Sequence, residues 1–507
     1  MKRIFTLIFT ICFCFMLTSC SSAGGITTFT VAVEEISTNF DPQIADSSQD
    51  LIVVTNIFDG LFEKIDGEVV PVLAESCDIS SDGRTYTIKI KPDSVYHYSG
   101  KKSIQEKFND KPVTAHDFVF AINRTLDPKT HSPYIDDFSN VSRINAPDDH
   151  TLIIQLNNPD YNFTEKLCLP AAFPCNEEFF KTTGGAYGLS VKNILSNGPF
   201  RLNYLDTENG NATIVRCDDN KNGLSRIRIK EIEPSQQADA YVNDEISGFF
   251  SYSSKKENFD KTSFISYNSS NISLVFNLEK DIFSNENIRK ALAWYAFGFE
   301  NSGANPDAVE SCKTIFPDTI TLAGEYINDI ITPTHPTYMD GNARDYLQTG
   351  LNELGMSRLE SLTILMPDDS VYSLIYENVN QLWQKHLGQF FTIEYLPTSQ
   401  INSRVQKMDF DIAFLPLTPE NDTPYGVIDK FAPYNSEVQN QIDTAKLKAN
   451  QSDAKSNIDS AQNIILQSAL SVPMGSEKTL FYYKSYYQNI YVDPFSSVIN
   501  LKHTVAK

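Results

Sequence analysis

The chain has 507 residues, of which 41% are hydrophobic and 12% aromatic, so it is too long for one ordinary core and has material for two or three. Its formal net charge of −22 argues against nucleic acid and anionic lipid as partners, because both are themselves negatively charged.

The N-terminal stretch "MKRIFTLIFTICFCFMLTSC" carries two basic residues and then apolar residues from 4 to 17. This apolar run is too short to span a membrane and is typical of an export signal. Its end, "LTSC", resembles the bacterial lipobox, in which cleavage before the cysteine exposes a thiol that is diacylated. We therefore predict a signal peptide over 1–19, lipidation at Cys20, a tether over 20–25 and anchoring to the outer face of the cell membrane. The alternative is an ordinary signal peptidase site with a chance cysteine.

The region from 26 to 100 mixes short alternating runs with one apolar stretch. The runs "TFTVAVEE", "EVVPVLAES" and "TYTIKIKP" predict strands, and "DLIVVTNIFDGLF" predicts a helix closing on Gly60. Residues 97–111 are polar and irregular, which predicts an exposed loop. Further strands are predicted at 150–157, 200–206, 211–217 and 225–233, so this part of the chain is α plus β.

A helix is predicted at the start of "PVTAHDFVFAINRTLDPKTHSPY". Thr114 and Asp117 have the spacing of a capping box, and Val113 and Phe118 that of a hydrophobic staple. His116 then lies in the first helical turn. Because no second histidine or carboxylate stands nearby at a metal-ligand spacing, we favour a structural role for this stretch over a catalytic or metal-binding one.

From residue 284 the chain has longer elements in the order helix, strand, helix, strand. "SNENIRKALAWYAF" begins on a Ser/Asn cap, and "SLIYENVNQLWQKHLG" is an amphipathic helix stopped by Gly388. "LTILMPD", "FTIEYLP" and "DFDIAFLPL" predict strands. This order favours an α/β domain with a mainly parallel sheet, followed by helices within 443–470 and a return to strands.

Beyond Cys20, five cysteines follow in an odd set without CxxC spacing: Cys77, Cys168, Cys175, Cys217 and Cys312. This pattern gives no support for zinc. Cys168 and Cys175 flank "LPAAFP" and have the spacing for a small disulfide loop, with buried free thiols as the alternative. The sequence contains neither HExxH nor GxSxG nor a glycine-rich phosphate loop. We therefore predict no enzyme activity, no catalytic residues, no metal and no cofactor.

An ordered series of segments resembles the large solute-binding lipoproteins of ABC importers, the oligopeptide, dipeptide and nickel-binding group. The series is "FDPQ" (40–43), "NIFDGLFEKIDGEVVPVLAES" (56–76), "SDGRTYTIKIKPD" (81–93), the capped helix, "NGPFRL" (197–202), "LVFNLEKDIFSNENIRKALAWY" and "VDPFSSVINLKH". Each segment alone is weak, but their order and spacing along nearly the whole mature length are specific.

The resemblance implies an α/β fold, a bilobed clamp like that of periplasmic binding proteins, with discontinuous lobes and an extra α+β domain. Lobe I would comprise 26–66, 190–272 and 478–507. The extra domain would be 67–189 and lobe II 273–477. Such a clamp closes around its ligand by hinge motion.

The resemblance further implies a monomeric substrate-binding component that captures a peptide or other small polar solute and delivers it to the permease subunits of an ABC transporter. In peptide-binding members the peptide pairs as an added strand, and an acidic side chain holds its amino terminus. Aligning "DIAFLPLTPENDTP" (411–424) places Glu420 at that position, and the alternative is an exposed loop acid. Alternative functions are binding of a nickel or metallophore complex, and sensing of a peptide signal without transport.

Other ligand contacts implied by the resemblance are distributed over both lobes and the extra domain. Leu417 and Thr418 precede Glu420, where Pro416 and Leu417 replace the family's common Gly-Trp pair. The loop after "FDPQ" contributes Asp46 and Ser48. The remaining two residues carry open alternatives: Tyr134 would stack or donate, or else pack under the loop, and Arg404 would meet a ligand carboxylate, or else be a surface arginine.

Overall fold

The computed structural model describes residues 27–252, 257–298, 310–332, 334–359, 362–368, 370–448 and 450–507. The predicted signal peptide, the lipidation site at Cys20 and the tether lie outside the described residues.

The strands are β1 Thr28–Val33, β2 Phe62–Ile65, β3 Glu68–Pro71, β4 Ala74–Ile79, β5 Thr85–Ile90, β6 His97–Tyr98, β7 Val141–Asp148, β8 Thr151–Leu156, β9 Leu195–Ser196, β10 Phe200–Asp206, β11 Asn211–Arg216, β12 Arg226–Glu231, β13 Gly248–Ser251, β14 Thr262–Phe276, β15 Glu310–Ser311, β16 Thr321–Leu322, β17 Glu325–Tyr326, β18 Thr363–Pro367, β19 Thr392–Leu396, β20 Ile412–Leu417, β21 Val472–Lys484, β22 Tyr487–Gln488, β23 Tyr491–Asp493, β24 Val498–Asn500 and β25 Val505–Ala506. The α-helices are α1 Ser48–Ile57, α2 Lys102–Phe108, α3 Ala115–Leu126, α4 Phe163–Lys166, α5 Glu177–Thr182, α6 Pro234–Val242, α7 Asp281–Ser284, α8 Glu286–Ala296, α9 Ile327–Ile330, α10 Ala343–Glu353, α11 Ser370–Leu382, α12 Thr398–Gln406, α13 Tyr425–Ile428, α14 Ser436–Lys446 and α15 Lys455–Gln467.

Two long strands join the halves of the largest sheet, whose order is β10-β11-β12-β1-β13-β21-β14-β20-β18-β19. Strands β14 and β21 pair antiparallel from Thr262 opposite Lys484 to Leu274 opposite Val472. At one end β21 also pairs with β13, and at the other end β14 pairs with β20. The register shifts between Asn268 and Ser270, about midway along β14. The chain therefore crosses between the two halves on β14 and returns on β21.

Three large clusters of buried hydrophobic side chains divide the molecule. One draws on segments between 29 and 58, between 194 and 229, and between 481 and 501, together with Phe173. A second lies within 61–195, around the four-stranded sheet β4-β5-β8-β7 and helix α3. The third lies within 272–474. We use the names lobe I, extra domain and lobe II for the predicted ranges, whose exact boundaries remain a prediction.

Local sequence signals predicted several helix ends. Helix α3 begins with the capping box of Thr114 and Asp117, and both Val113 and Phe118 are buried. The Asn285 side chain caps α8 by accepting from the backbone N–H of Ile288. Helix α11 continues as a π-helical turn and stops at Gly388, whose φ of 65° is a left-handed conformation that glycine adopts readily. These predictions are confirmed.

Two local predictions were wrong. The segment 97–111 is not a plain loop but contains β6 and α2, because Ile104 and Phe108 lie one turn apart and Phe108 is buried. The helix expected to close on Gly60 runs only over Ser48–Ile57. The mainly parallel sheet predicted for lobe II is confirmed, since β18 is parallel to both β19 and β20, and the crossing strand β14 joins this sheet antiparallel to β20.

Candidate functional site

A buried ion pair positions the loop that follows β1. Arg124 of α3 places its Nη2 2.6 Å from Asp41 Oδ2, and its Nη1 donates to Gln43 Oε1 at 2.6 Å. The side chains of Arg124 and Asp41 are 10% and 3% exposed. Since Gln43 also donates to the carbonyl of Phe173, the "FDPQ" motif attaches lobe I to the extra domain. The loop leading into α1 therefore starts from a fixed point.

Three predicted site residues lie along this loop and the facing one. Asp46 is exposed, and Ser48 is the first residue of α1. The Tyr134 hydroxyl donates to the carbonyl of Ala45 at 2.6 Å, and burial, with Asp46 nearby, raises the Tyr134 pKa. Tyr134 thus packs under the loop, which was the alternative to a ligand contact. Its role toward a ligand remains a prediction.

Beside Ser48 is a cavity of about 370 Å³ in lobe I. It lies where β1 and β13 end and where α1 and α6 begin, and its lining includes Glu34, Ser48, Tyr252, Glu257 and Ser497. β1 and β13 are parallel neighbours, and the carboxyl edge of parallel strands is a common place for ligands in α/β proteins. The Ser497 hydroxyl is 2.8 Å from that of Tyr267 on the crossing strand β14. The cavity therefore lies next to the crossing strands.

The other group of predicted residues ends strand β20 in lobe II. Leu417 is half-buried and pairs with Asn271 of β14, and Thr418 is exposed. The Thr418 carbonyl accepts a hydrogen bond from Lys430 Nζ at 3.0 Å, and the same Nζ is 3.9 Å from Glu420 Oε1. The Glu420 side chain is 67% exposed. Burial lowers the pKa of Lys430, although the nearby Glu420 carboxylate acts against this.

Arg404 lies on α12. Its guanidinium forms ion pairs with Glu394 at 2.7 Å and Asp409 at 3.2 Å, and its Nε donates to the Asp409 carbonyl. These contacts match the surface alternative. Its predicted contact with a ligand carboxylate would require it to leave these partners.

An ion pair that the sequence analysis missed connects β2 with the loop after β20. Lys64 on β2 has its Nζ 2.5 Å from Asp422 Oδ2 and donates to Thr321 Oγ1 at 3.0 Å, and both partners belong to lobe II. Glu165 of the extra domain lies 3.7 Å away. Burial lowers the pKa of Lys64, but Asp422 and Glu165 outweigh burial and raise it above its ordinary value. Lys64 therefore stays charged and holds the 418–424 loop against the other side of the molecule.

Two adjoining turns meet at the same place. Gly67, between β2 and β3, and Gly324, between β16 and β17, both have positive φ. A Cβ atom on Gly67 would lie only 2.9 Å from the Gly324 carbonyl oxygen. A larger residue at position 67 would thus push the β2–β3 turn away from the β16–β17 turn.

Further carboxylates lie near Asp422. Burial raises the pKa of Asp137, and the nearby Asp422 raises it further. Burial likewise raises the pKa of Asp493, which accepts from the backbone N–H of Phe495. Since Asp137 is three residues from Tyr134 and Asp422 is two from Glu420, the two predicted ligand-facing loops approach each other here. No sequence signal connects Lys64 with Asp422, which are 358 positions apart.

The five cysteines in the described residues are free thiols, so Cys168 and Cys175 form no disulfide in this structure. Cys175 is buried and lies 3.6 Å from Arg124 Nη1. Across the described ranges, no three His, Cys, Asp or Glu side chains are grouped as metal ligands. In the same part of the chain, every helix is too short or too polar to cross a bilayer.

The chain belongs to the bacterial extracellular solute-binding proteins, family 5, since the model for the middle region of that family matches residues 68–437. It is 24% identical over 497 residues to the dipeptide-binding protein DppE of Bacillus subtilis, covering 89% of this chain and 86% of the relative. It is also 24% identical over 473 residues to the oligopeptide-binding protein OppA of the same species, with 81% and 78% covered.

Solved structures share the fold. Listeria monocytogenes OppA bound to peptide aligns with a TM-score of 0.67 at 22% identity, covering 95% of this chain and 99% of that one. HbpA2 from Haemophilus parasuis aligns with a TM-score of 0.77 at 17% identity, covering 95% and 100%. The predicted bilobed α/β clamp and the family resemblance are therefore confirmed. The protein is an extracytoplasmic solute-binding protein and not an enzyme.

Proposed function

We propose that the protein is the membrane-anchored substrate-binding component of an ABC transporter, which captures peptides between its lobes and delivers them to the permease. The observation that carries this proposal is the pair of crossing strands β14 and β21, which join the two halves of the largest sheet. The ligand cleft would lie between these halves. The names of the relatives support peptides as the ligand class: DppE is a dipeptide-binding and OppA an oligopeptide-binding protein.

Closure would come from bending at the middle of the crossing strands. The paired segment between β13 and β20 contains the register shift at Asn268 and Ser270, where the ladder is irregular. A ligand that touches both lobes binds only the closed form well and so shifts the population toward it. The permease would then recognise the closed form.

In this proposal the peptide amino terminus binds Glu420, while Ser48 and Asp46 face it from lobe I. The Glu420 carboxylate is mostly solvated and is 3.9 Å from Lys430 Nζ, so it is free to accept another cation. A charge-assisted hydrogen bond in a closed cleft contributes more than one on the surface. Glu420→Ala should therefore weaken binding of peptides with a free amino terminus by about tenfold, as expected for a hydrogen bond between charged groups.

The control is Glu208→Ala, an exposed acid in the turn between β10 and β11. It should leave binding unchanged, and N-acetylated peptides should bind wild type and Glu420→Ala equally. Equal affinity of wild type and Glu420→Ala for free peptides would show that another group holds the amino terminus.

The proposal as a whole is tested by native mass spectrometry of the protein purified from its own cells. A peptide mass released on unfolding is expected. A released metal complex, or no ligand together with no binding of added peptides, would contradict peptide capture. Loss of labelled peptide uptake on gene deletion would support delivery to a permease, whereas unchanged uptake would favour sensing without transport.

A further inference from the structure

We propose that Lys430 occupies the place of a ligand ammonium group at Glu420, and so limits how strongly the protein prefers peptides with a free amino terminus over peptides whose amino terminus is acylated. This inference rests on the proposed function, in which Glu420 binds the peptide amino terminus. It adds a residue of this chain that competes with the ligand for the same carboxylate.

The Lys430 ammonium group has the two kinds of partner that a peptide amino terminus would use. Its Nζ donates to the Thr418 carbonyl at 3.0 Å and lies 3.9 Å from Glu420 Oε1. An ammonium group has three N–H donors and no acceptor, so a carbonyl and a carboxylate suit two of its donors. A ligand ammonium group that approaches Glu420 would therefore meet Lys430 at the same acceptor.

The loop that carries Glu420 is closed onto the segment that carries Lys430. The Glu420 N–H donates to the Gly426 carbonyl at 3.1 Å. The backbone packs so closely here that a Cβ atom on Gly426 would lie 2.7 Å from the Asn421 backbone nitrogen. Next to Lys430, the Phe431 side chain is buried. The backbone on both sides thus keeps Glu420 and Lys430 near each other without help from a ligand.

The neighbouring carboxylates have other cationic partners. Asp422, in the same loop, belongs to the ion pair with β2 described above. Asp429, adjacent to Lys430 in the chain, pairs with Lys446 at 2.8 Å. Burial lowers the pKa of Lys430, and Glu420 is the carboxylate that acts against this effect of burial. Glu420 is therefore the anionic partner of Lys430.

The exposure of the pair allows a ligand to replace Lys430. The Glu420 side chain is 67% exposed, so a ligand can reach its carboxylate from the solvent. Because the pair is long and partly solvated, its contribution is small and it can be broken. A ligand ammonium group that displaces Lys430 loses part of what it gains at Glu420. An acylated amino terminus is uncharged and leaves the pair in place, so it does not incur this loss.

The test compares Ala-Ala-Ala with N-acetyl-Ala-Ala-Ala, each titrated calorimetrically into ligand-stripped protein, and measures the ratio of the free-peptide affinity to the acetylated-peptide affinity. Lys430→Met and Lys430→Gln should each raise this ratio about two- to fivefold, the range expected for a partly solvated ion pair. Lys430→Arg keeps the cation and should keep the ratio of the wild type. The matched control is Lys455→Met, which removes an exposed lysine at the start of α15 and should leave the ratio unchanged.

A doubly substituted protein shows whether Lys430 acts through Glu420. In Glu420→Ala there is no carboxylate to compete for, so adding Lys430→Met should no longer raise the ratio. A gain of the same size in the Glu420→Ala background would show that Lys430 acts on another group, and the inference would be wrong.

The outcomes separate this inference from peptide capture. If both peptides bind and the ratio stays at the wild-type value in Lys430→Met and Lys430→Gln, competition by Lys430 is overturned and peptide capture stands. If neither these peptides nor longer ones bind, peptide capture is contradicted and the competition is overturned with it.

Discussion

Removing the Lys64 ammonium group should open the cleft. In Lys64→Met the two interlobe hydrogen bonds to Asp422 and Thr321 are lost. The Asp422 carboxylate is then left near Asp137 and Asp493 without its cation, which adds repulsion to the lost attraction. Both effects weaken the contact between β2 and the 418–424 loop, so the change should favour an arrangement in which these two segments separate.

The magnitude follows from the exposure of the pair. Hydrogen bonds between charged groups contribute about 1.5–3 kcal/mol when well shielded. The Lys64 and Asp422 side chains are 18% and 31% exposed, so solvent takes back part of this contribution. We expect the closed form to lose about 1–3 kcal/mol, which lowers the closed-to-open ratio about 5- to 150-fold.

Hydrogen exchange measured by mass spectrometry reports this ratio. The Thr321 N–H donates to the Asp422 carbonyl within lobe II, and the surrounding turn is covered by the β2–β3 hairpin. Exchange in the 321–326 and 62–71 segments should become faster in Lys64→Met.

The matched control is Lys111→Met, which breaks an ion pair with Glu178 inside the extra domain and should leave exchange in these two segments unchanged. The charge exchange of Lys64→Asp with Asp422→Lys should restore part of the protection. Unchanged exchange in a folded Lys64→Met protein would refute the reasoning.

Three further predictions concern stability and thiols. Arg124→Met leaves the Asp41 carboxylate buried and unpaired, so the free energy of unfolding should fall by about 3–5 kcal/mol in urea titrations. Asp137→Asn should raise the melting temperature at pH 7 and have little effect at pH 4. The pKa of the Asp137 carboxyl is raised in the folded protein. Its ionisation therefore destabilises the fold as pH rises above the unfolded-state pKa of about 3.9, and the full destabilisation is reached above the folded-state pKa. Below the unfolded-state pKa the carboxyl is protonated in both states, so the substitution changes stability little. In a chain starting at residue 21, all five thiols should react with Ellman's reagent after unfolding without reductant. In the native state they should react slowly, since burial raises the pKa of each thiol, that of Cys175 to about 12.

Each of these has a control or a contrary result. Arg143→Met removes an exposed arginine from β7 and should cost little, so equal losses in both variants would contradict the role of the buried pair. Equal melting temperatures of Asp137→Asn and wild type at pH 7 would contradict the cost of burying the Asp137 carboxylate. Two thiols missing from the unfolded count would indicate that a disulfide had formed, with Cys168 and Cys175 the pair to check first.

A structural feature could be predicted from the sequence when the residues that determine it lie close together in the chain. The capping box of Thr114 and Asp117 lies within four residues, so the start of α3 was predictable. The position of Gly388 at the end of α11 was predictable for the same reason. The resemblance supplied the bilobed fold, which no local pattern contains, because β14 and β21 pair across about two hundred intervening residues.

The candidate site was less predictable because its contacts join distant segments. In the sequence, Lys64 has the pattern of an ordinary charged residue in a hairpin. No residue near it in the sequence identifies Asp422 as its partner. Tyr134 could be placed near the loop after "FDPQ", but its choice between a ligand and the Ala45 carbonyl depends on three-dimensional packing. The lobe I cavity combines residues from β1, α1, α6 and β13, which only the fold brings together.

The most direct test of the central claim is small-angle X-ray scattering of ligand-stripped protein during titration with tripeptides. The proposed clamp predicts a radius of gyration that falls as peptide is added and saturates at the stoichiometry measured by calorimetry. Calorimetric binding with an unchanged radius of gyration would contradict closure of two lobes around the ligand.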